Sequence, residues 1–358
     1  MPEQTHAPLA PLTTMRVGGP ARRLVTVTST DEAIAALREI DTAGEPLLVL
    51  SGGSNLVVAD AGFAGTVLQI ATRGVEVLSA DRCGGVVVRV AAGEPWDPFV
   101  ARAVAEGWSG IEALSGIPGL VGATPIQNVG AYGQEVAQTI ASVRTWDRQE
   151  QAVRTFANAD CEFTYRHSRF KGHDRYVVLE VTFQLVLGDL SAPVAYADLA
   201  TQLGVEQGAR VPLADAREAV LAQRRRRGMV LDEPDHDTWS CGSFFTNPIL
   251  TEAEHDALMA RAAERLGADG PVPPRFPGGA DGMVKTSAAW LIDKAGFGKG
   301  YAMPGPAALS TKHTLAITNR GSASAADVAA LAREVRDGVA DAFGVTLVNE
   351  PVFVGHEL

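Results

Sequence analysis

Two glycine-rich stretches, residues 51–55 and 114–133, constrain this chain more than anything else in it, because neither has the spacing of a common phosphate loop. The first, Ser51-Gly52-Gly53-Ser54-Asn55, follows the short apolar run 47–50 and leads into Leu56. Adjacent glycines admit left-handed backbone angles, so successive N–H groups can turn into one concavity, and Ser54 and Asn55 add side-chain donors. That suits a pyrophosphate, although on this stretch alone a plain β-turn explains the residues equally well. The second stretch holds Ser115-Gly116-Ile117-Pro118-Gly119 and Gly122-Ala123, with glycines three apart, as close backbone approach to a flat or extended ligand requires. It continues through Asn128, Gly130, Ala131, Tyr132 and Gly133. Together the two fit a long dinucleotide better than a pair of unrelated turns. No G-x-x-x-x-G-K-[ST] loop occurs, no G-x-G-x-x-G lies between a strand and a helix, and Gly296-Phe297-Gly298-Lys299-Gly300 has the wrong spacing. A Rossmann cofactor site is therefore not expected.

At 358 residues the chain suits two or three domains. Apolar residues at 46% against 20% charged mark it as globular. Its longest apolar runs, 47–50 and 86–90, fall far short of a membrane span, and Met1-Pro2-Glu3-Gln4 has neither the basic start nor the apolar core of a signal peptide. Cys83, Cys161 and Cys241 are widely spaced, so neither a disulfide framework nor a C-x-x-C metal or redox pair is implied. A cytoplasmic monomer is expected that binds no metal, membrane or nucleic acid, the last also opposed by a formal charge of −11. The one basic run, Arg224-Arg225-Arg226-Arg227, closes a predicted helix, where positive charge suits the macrodipole; a small anionic-ligand site is the alternative.

Periodicity and punctuation predict a strand at 23–27, then a helix capped by Ser29 or Thr30, stopped by Gly44 and apolar along Ala33, Ile34, Leu37 and Ile40. Strands follow at 47–50, 86–91, 142–147 and 176–187, with helices at 98–106 and 211–227. A third region from about 230 carries a helix at 252–266, a Pro/Gly-rich loop at 271–282 and a last helix at 324–343. The last helix has Val328, Leu331, Val335, Val339 and Phe343 on one stripe and ends at Gly344. A closing strand is predicted at 345–354, with Pro351 favouring an edge. Strands and helices mix without strict alternation, so the fold class is α+β with several domains.

At its glycine-rich stretches the chain resembles the FAD-binding proteins typified by vanillyl-alcohol oxidase and p-cresol methylhydroxylase, and within them the UDP-N-acetylenolpyruvoylglucosamine reductase family. Five motifs carry the resemblance, in order along nearly the whole chain. They are Met15-Arg16-Val17-Gly18-Gly19, the two stretches counted together, Tyr165-Arg166-His167-Ser168-Arg169-Phe170-Lys171, Gly242-Ser243-Phe244-Phe245-Thr246-Asn247-Pro248, and a glutamate, Glu350, before the final strand. The resemblance implies a two-part FAD-binding domain of the vanillyl-alcohol oxidase type and a smaller α+β substrate-binding domain. Residues 1–68, joined by a C-terminal strand at 345–358, and 69–229 would form the first, and 230–344 the second. FAD would be held non-covalently by residues 51–56 and the second stretch, since the loop offers Ser54 and Asn55 where oxidases of the wider family carry a His or Cys tether.

The reaction so implied uses NADPH as reductant and reduces UDP-N-acetylglucosamine enolpyruvate to UDP-N-acetylmuramate. Hydride reaches the methylene carbon, and negative charge builds on the adjacent carbon and spreads into its carboxylate. Such chemistry needs charge stabilisers at the carboxylate and a proton donor over the carbanionic carbon. Arg166 matches the family's catalytic arginine, Ser243 its proton donor and Glu350 its third catalytic residue; Pro351 replaces the commoner valine after that glutamate. Tyr196 looks like the ligand-covering tyrosine of the type I branch, Asn247 and Lys299 match residues at the UDP portion, and His313 matches a polar substrate contact. A family lysine is replaced around Gly228-Met229, and Arg224 with its neighbours is placed to supply that charge. Two readings stand beside this one: an FAD-dependent alcohol or sugar oxidase of the same fold, and a non-catalytic nucleotide-sugar or flavin-binding sensor.

Overall fold

The computed structural model describes residues 1–81 and 83–358. The chain divides into two compact units, one of Met1–Ala7, Ala21–Gly53 and Phe63–Val230, the other of Pro8–Pro20, Ser54–Gly62 and Leu231–Leu358. The chain thus passes from one unit to the other between Gly53 and Ser54, inside the first glycine-rich loop.

Among the described residues the first unit contains two sheets of four or more strands and a two-stranded ribbon of Gly130–Ala131 and Gln134–Glu135. One has the strand order Glu3–Pro8, Pro20–Val27, Phe63–Ile70, Leu47–Leu50, and its last three strands are parallel. Parallel neighbours need a crossover, and the helix Thr30–Ala43 supplies it. That helix starts where Ser29 accepts a hydrogen bond from Glu32 N and stops at Gly44, whose φ of 63° closes the last turn. Ala33, Leu37 and Ile40 are buried as the periodicity requires. The other sheet runs Ala152–Ala157, Ile140–Asp147, Tyr176–Leu187, Gly85–Ala91, Val75–Asp81 and is antiparallel throughout. Val86, Val88 and Val90 point to one face, where Trp96 and Phe99 of the helix Trp96–Ala105 pack with Phe183. The helices Ala197–Leu203 and Leu213–Arg226 share a smaller core with Val194 and Val211.

Asp147, fully buried at the end of its strand, accepts hydrogen bonds from Arg175 Nε at 2.9 Å and Nη2 at 2.7 Å. Arg175 is the chief reason that its pKa falls to about 2. A carboxylate more acidic folded than unfolded stabilises above its unfolded pKa, and that stability is lost as pH falls through about 4 towards 2; it amounts to about 2 kcal/mol. Thermal unfolding of Asp147→Asn should accordingly show a flatter pH dependence than the wild type between pH 5 and 2.5. Equal slopes would remove Asp147 from the acid transition.

In the second unit the helices Glu252–Leu266, Ala288–Ala295 and Ala325–Phe343 surround one core, and all five residues of the predicted stripe are buried in it. Ser324 and Asp327 form a capping box at the start of the last helix, and Asp60 adds a second cap by accepting from Ala325 N and Ala326 N. Gly18 and Gly19 form the seat of this turn around Asp60: a methyl group at Gly19 would collide with the Asp60 carbonyl. The closing strand is shorter than predicted. Only Val352–Val354 pairs, in parallel with Leu56–Val58. Ahead of it the chain makes backbone bonds to 244–246, and Pro351 has no N–H with which to extend the ladder. The helices Ala197–Leu203 and Ala288–Ala295 were not foreseen, being too short for a 3.6-residue period to register. Among the described residues no helix is long and apolar enough to cross a membrane, and no cluster of three or more His, Cys, Asp or Glu is placed to hold a metal ion.

Candidate active site

In the first unit the two glycine-rich stretches touch backbone to backbone. A methyl group at Gly52 would lie 2.5 Å from Gly119 Cα, so the approach is open only to glycine. Gly53 and Gly116 have φ of 59° and 72°. Ser51 Oγ is buried with no hydrogen-bond partner among the described residues. The N–H of Gly116 is already engaged, donating at 2.6 Å to Asp97, whose carboxylate also receives both Arg217 Nη groups at 2.7 and 2.9 Å. Burial pushes the Asp97 carboxyl up, but Arg217 and the Gly116 N–H outweigh it and leave it below its usual value. Gly122 is set by packing: its N–H donates to Ala92, and a side chain would meet the Ala92 methyl. Ser115 is buried and donates to the Glu112 carbonyl, while Ile117, Pro118 and Ala123 are half-buried.

Arg166 stands in a tight turn in which Thr164 and His167 exchange both backbone bonds, and it takes a φ of 54°. Positive φ in a non-glycine residue is uncommon, and such strain collects at functional sites; Asn128 (47°) and Tyr132 (51°) in the second stretch share it. The turn is held from three sides. Ser168 donates to the Ile126 carbonyl, the Asn128 amide to the Thr164 carbonyl, and Lys171 Nζ to the carbonyl of Arg166 itself. Arg166 Nη2 donates to the Gly130 carbonyl at 2.7 Å, which sets the guanidinium against the second stretch. Asn128 is buried and also bonds Glu135 and Ala137 N, so its amide acts as a bracket within the loop.

Tyr132 and Tyr196 meet edge to face, with ring centroids 6.0 Å apart, and Gly133 fits against Ala195. Tyr196 is 53% exposed at the start of Ala197–Leu203. The four-arginine run splits. Arg226 bonds Gln202, Arg227 bonds Asp198 and Arg225 lies near Glu218, whereas Arg224 turns inward. Its Nη2 donates to the Met229 carbonyl, and its Nε, 3.4 Å from where a Gly116 side chain would begin, is sealed from solvent without a partner among the described residues. Desolvation lowers its pKa to about 10. A buried, unmatched guanidinium donor beside a glycine loop is suited to an anion.

In the second unit Ser243 and Glu350 lie on neighbouring stretches of chain. Thr246 N donates to Val348 O, Phe245 bridges Asn349, and Glu350 N donates to Phe244 O at 2.9 Å. Phe244 and Phe245 are buried anchors that fix Ser243 between them and Gly242, whose φ is 74°. Asn55 joins this frame through its side chain, which donates to the Glu350 carbonyl at 3.1 Å, and through its own carbonyl, which receives Val352 N. The sequence pointed to Asn55 as a ligand donor; the tie to Glu350 was not visible there. Burial pushes the Cys241 thiol up to about 12, and the nearby Glu350 adds to that, so the thiol stays protonated. The Asn247 side-chain oxygen Oδ1 accepts from Ala288 N at the start of Ala288–Ala295. Lys299 is exposed on the loop after that helix, which bonds the segment carrying His313 through Gly300 N to Ser310 O. That segment reaches Ser243's neighbour, since Phe244 N donates to Leu315 O.

These residues fit a bound FAD. Touching glycine loops and a Ser51 hydroxyl with no partner among the described residues provide the small-residue approach and an unsatisfied donor that a pyrophosphate would use.

Residues 233–354 match the family model of the UDP-N-acetylenolpyruvoylglucosamine reductase C-terminal domain, and residues 21–155 match that of an FAD binding domain. The chain is 63% identical over 358 residues to the UDP-N-acetylenolpyruvoylglucosamine reductase of Streptomyces avermitilis, with 99% of this chain and 96% of that one covered. Against the reductase of Thermobifida fusca, identity is 59% over 350 residues, covering 98% and 97%. Its fold is similar to that of the Thermus caldophilus UDP-N-acetylenolpyruvylglucosamine reductase crystal structure, with a TM-score of 0.63, 26% identity, and 99% and 98% of the two chains covered.

Proposed function

Because the chain belongs to the UDP-N-acetylenolpyruvoylglucosamine reductase family, we propose that Arg166, Ser243 and Glu350 perform its chemistry on UDP-N-acetylglucosamine enolpyruvate. The protein is an FAD-dependent oxidoreductase of peptidoglycan-precursor synthesis with NADPH as reductant. When bound, FAD relays hydride from NADPH to the enolpyruvyl methylene carbon. The chain's own residues manage charge and proton. Arg166 holds the substrate carboxylate as negative charge spreads into it, since a guanidinium is permanently charged and pairs with a carboxylate through two parallel bonds. Ser243 Oγ gives its proton to the adjacent carbon. A hydroxyl is a weak acid, but a carbanion is a strong enough base to take its proton. Glu350, protonated, donates a hydrogen bond beside that carboxylate.

Residues 51–56 and the second stretch hold FAD non-covalently in this reading. Tyr196 covers the nucleotide sugar, Asn247, Lys299 and His313 contact it, and Arg224 takes a phosphate. The two larger sheets of the first unit, which divide between Ile70 and Val75, support two FAD-binding lobes parted near residue 68, with 230–344 binding substrate. A monomer acting in the cytoplasm completes the proposal.

The observation that supports it is the backbone pairing of 244–246 with 348–350, which makes the chain segments carrying Ser243 and Glu350 neighbours. The purified protein should show flavin absorbance and, beyond the single equivalent that reduces its flavin, consume NADPH only when UDP-N-acetylglucosamine enolpyruvate is added. Rapid reoxidation by air with an alcohol or sugar as reductant would point to an oxidase instead. Flavin absorbance without NADPH consumption under any of these conditions would point to a sensor.

A further inference from the structure

Glu112 opens the short turn Glu112–Leu114 in the first unit and is only 2% exposed, and among the described residues the donors to its carboxylate are neutral N–H groups rather than an arginine or lysine. A buried carboxylate without a cation must be satisfied by N–H donors. Three reach it. Gly110 N donates to Oε2 at 2.7 Å, while Gln134 Nε2 at 2.9 Å and Ala192 N at 2.6 Å both donate to Oε1. The Gln134 amide is fixed the other way round by its carbonyl, which accepts from Ala113 N at 2.8 Å. The Glu112 backbone carbonyl receives the Ser115 hydroxyl at 2.6 Å.

The three donors come from parts of the chain that need a common frame. Gly110 and Ser115 flank the start of the second glycine-rich stretch, and Gln134 follows its end. Ala192 belongs to the segment leading to Tyr196, whose ring rests on Tyr132 and whose neighbour Ala195 packs on Gly133. We propose that Glu112 is a positioning residue that registers the Tyr196 segment against the glycine-rich stretch through its buried carboxylate. The inference rests on the assignment of that stretch to FAD and of Tyr196 to the nucleotide sugar. The carboxylate suits the task because each oxygen only accepts, so every incoming N–H is satisfied. A glutamine of the same shape would turn an N–H₂ group towards either Gly110 N or the Ala192 and Gln134 donors.

Glu112→Gln in the FAD-loaded enzyme should raise the KM for UDP-N-acetylglucosamine enolpyruvate by about tenfold or more, the scale of one lost charge-assisted bond, with kcat within about threefold. Hydrogen exchange at the Ala192 amide should accelerate by a similar factor. A merely structural role would lower the melting temperature without this split between KM and kcat. Unchanged KM, or unchanged Ala192 exchange, in the folded variant overturns the proposal. If Glu112→Gln does not fold, Gln134→Met removes one donor and leaves two. It should move both readouts in the same direction, and no movement in either is equally decisive. Should the wild type bind no FAD or fail to reduce the enolpyruvyl compound, the functional reading falls; Ala192 exchange, read on the protein alone, still decides whether Glu112 holds the segment.

Discussion

Replacing Ser243 by alanine is expected to slow reduction of UDP-N-acetylglucosamine enolpyruvate by roughly 10²–10⁴-fold, the scale for loss of a general acid. The bound flavin should still be reduced by NADPH. Little else about the site should change. Phe244 and Phe245 are buried and their backbone bonds to 315 and 349–350 do not involve the Ser243 side chain, so the variant keeps the frame and loses one hydroxyl. Stopped-flow absorbance of the flavin separates the two half-reactions: fast bleaching with NADPH, then slow recovery on adding the enolpyruvyl substrate. Unchanged overall turnover would take Ser243 out of the mechanism. Equal slowing of both phases would assign it to positioning the flavin instead.

Local features of this fold were legible because local chemistry decides them. Ser29 and Gly44 bracket one helix and Ser324 and Gly344 another, each by a cap that a few adjacent residues determine. The glycine loops were legible as loops, and Gly52 on Gly119 gives the reason for two of the glycines. What stayed hidden depends on partners far along the chain. The Asn55 amide reaches a carbonyl 295 residues away, and Glu112 gathers donors from 110, 134 and 192; nothing near either residue announces that use. The four arginines show the same limit. As a run they read equally well as a helix end or an anion site, and only packing reveals that one turns inward while three bond or lie near surface groups. The closing strand was over-long for a related reason: Val345 and Leu347 are buried as strand residues would be, but that burial belongs to the helical core.

Arg166→Gly tests the catalytic arginine more sharply than alanine would, because the backbone there favours glycine. At φ 54° a non-glycine residue costs about 1 kcal/mol, so glycine relieves strain that offsets part of what is lost with the bond to the Gly130 carbonyl and the stacking on Tyr165. The melting temperature should therefore fall by less than for Arg166→Ala. Activity should not be spared. Loss of a charge aimed at the developing carboxylate dianion is expected to lower kcat/KM by about 10²–10³-fold, or about 3–4 kcal/mol of transition-state stabilisation. Arg166→Lys should recover only part of this, since an ammonium keeps the charge without the two-pronged geometry. A structural arginine predicts the reverse pattern: a variant that melts markedly earlier, with the fraction still folded turning over normally. The strained φ makes the two outcomes separable, since a residue kept for stability has no reason to occupy a conformation in which glycine would be the more stable choice.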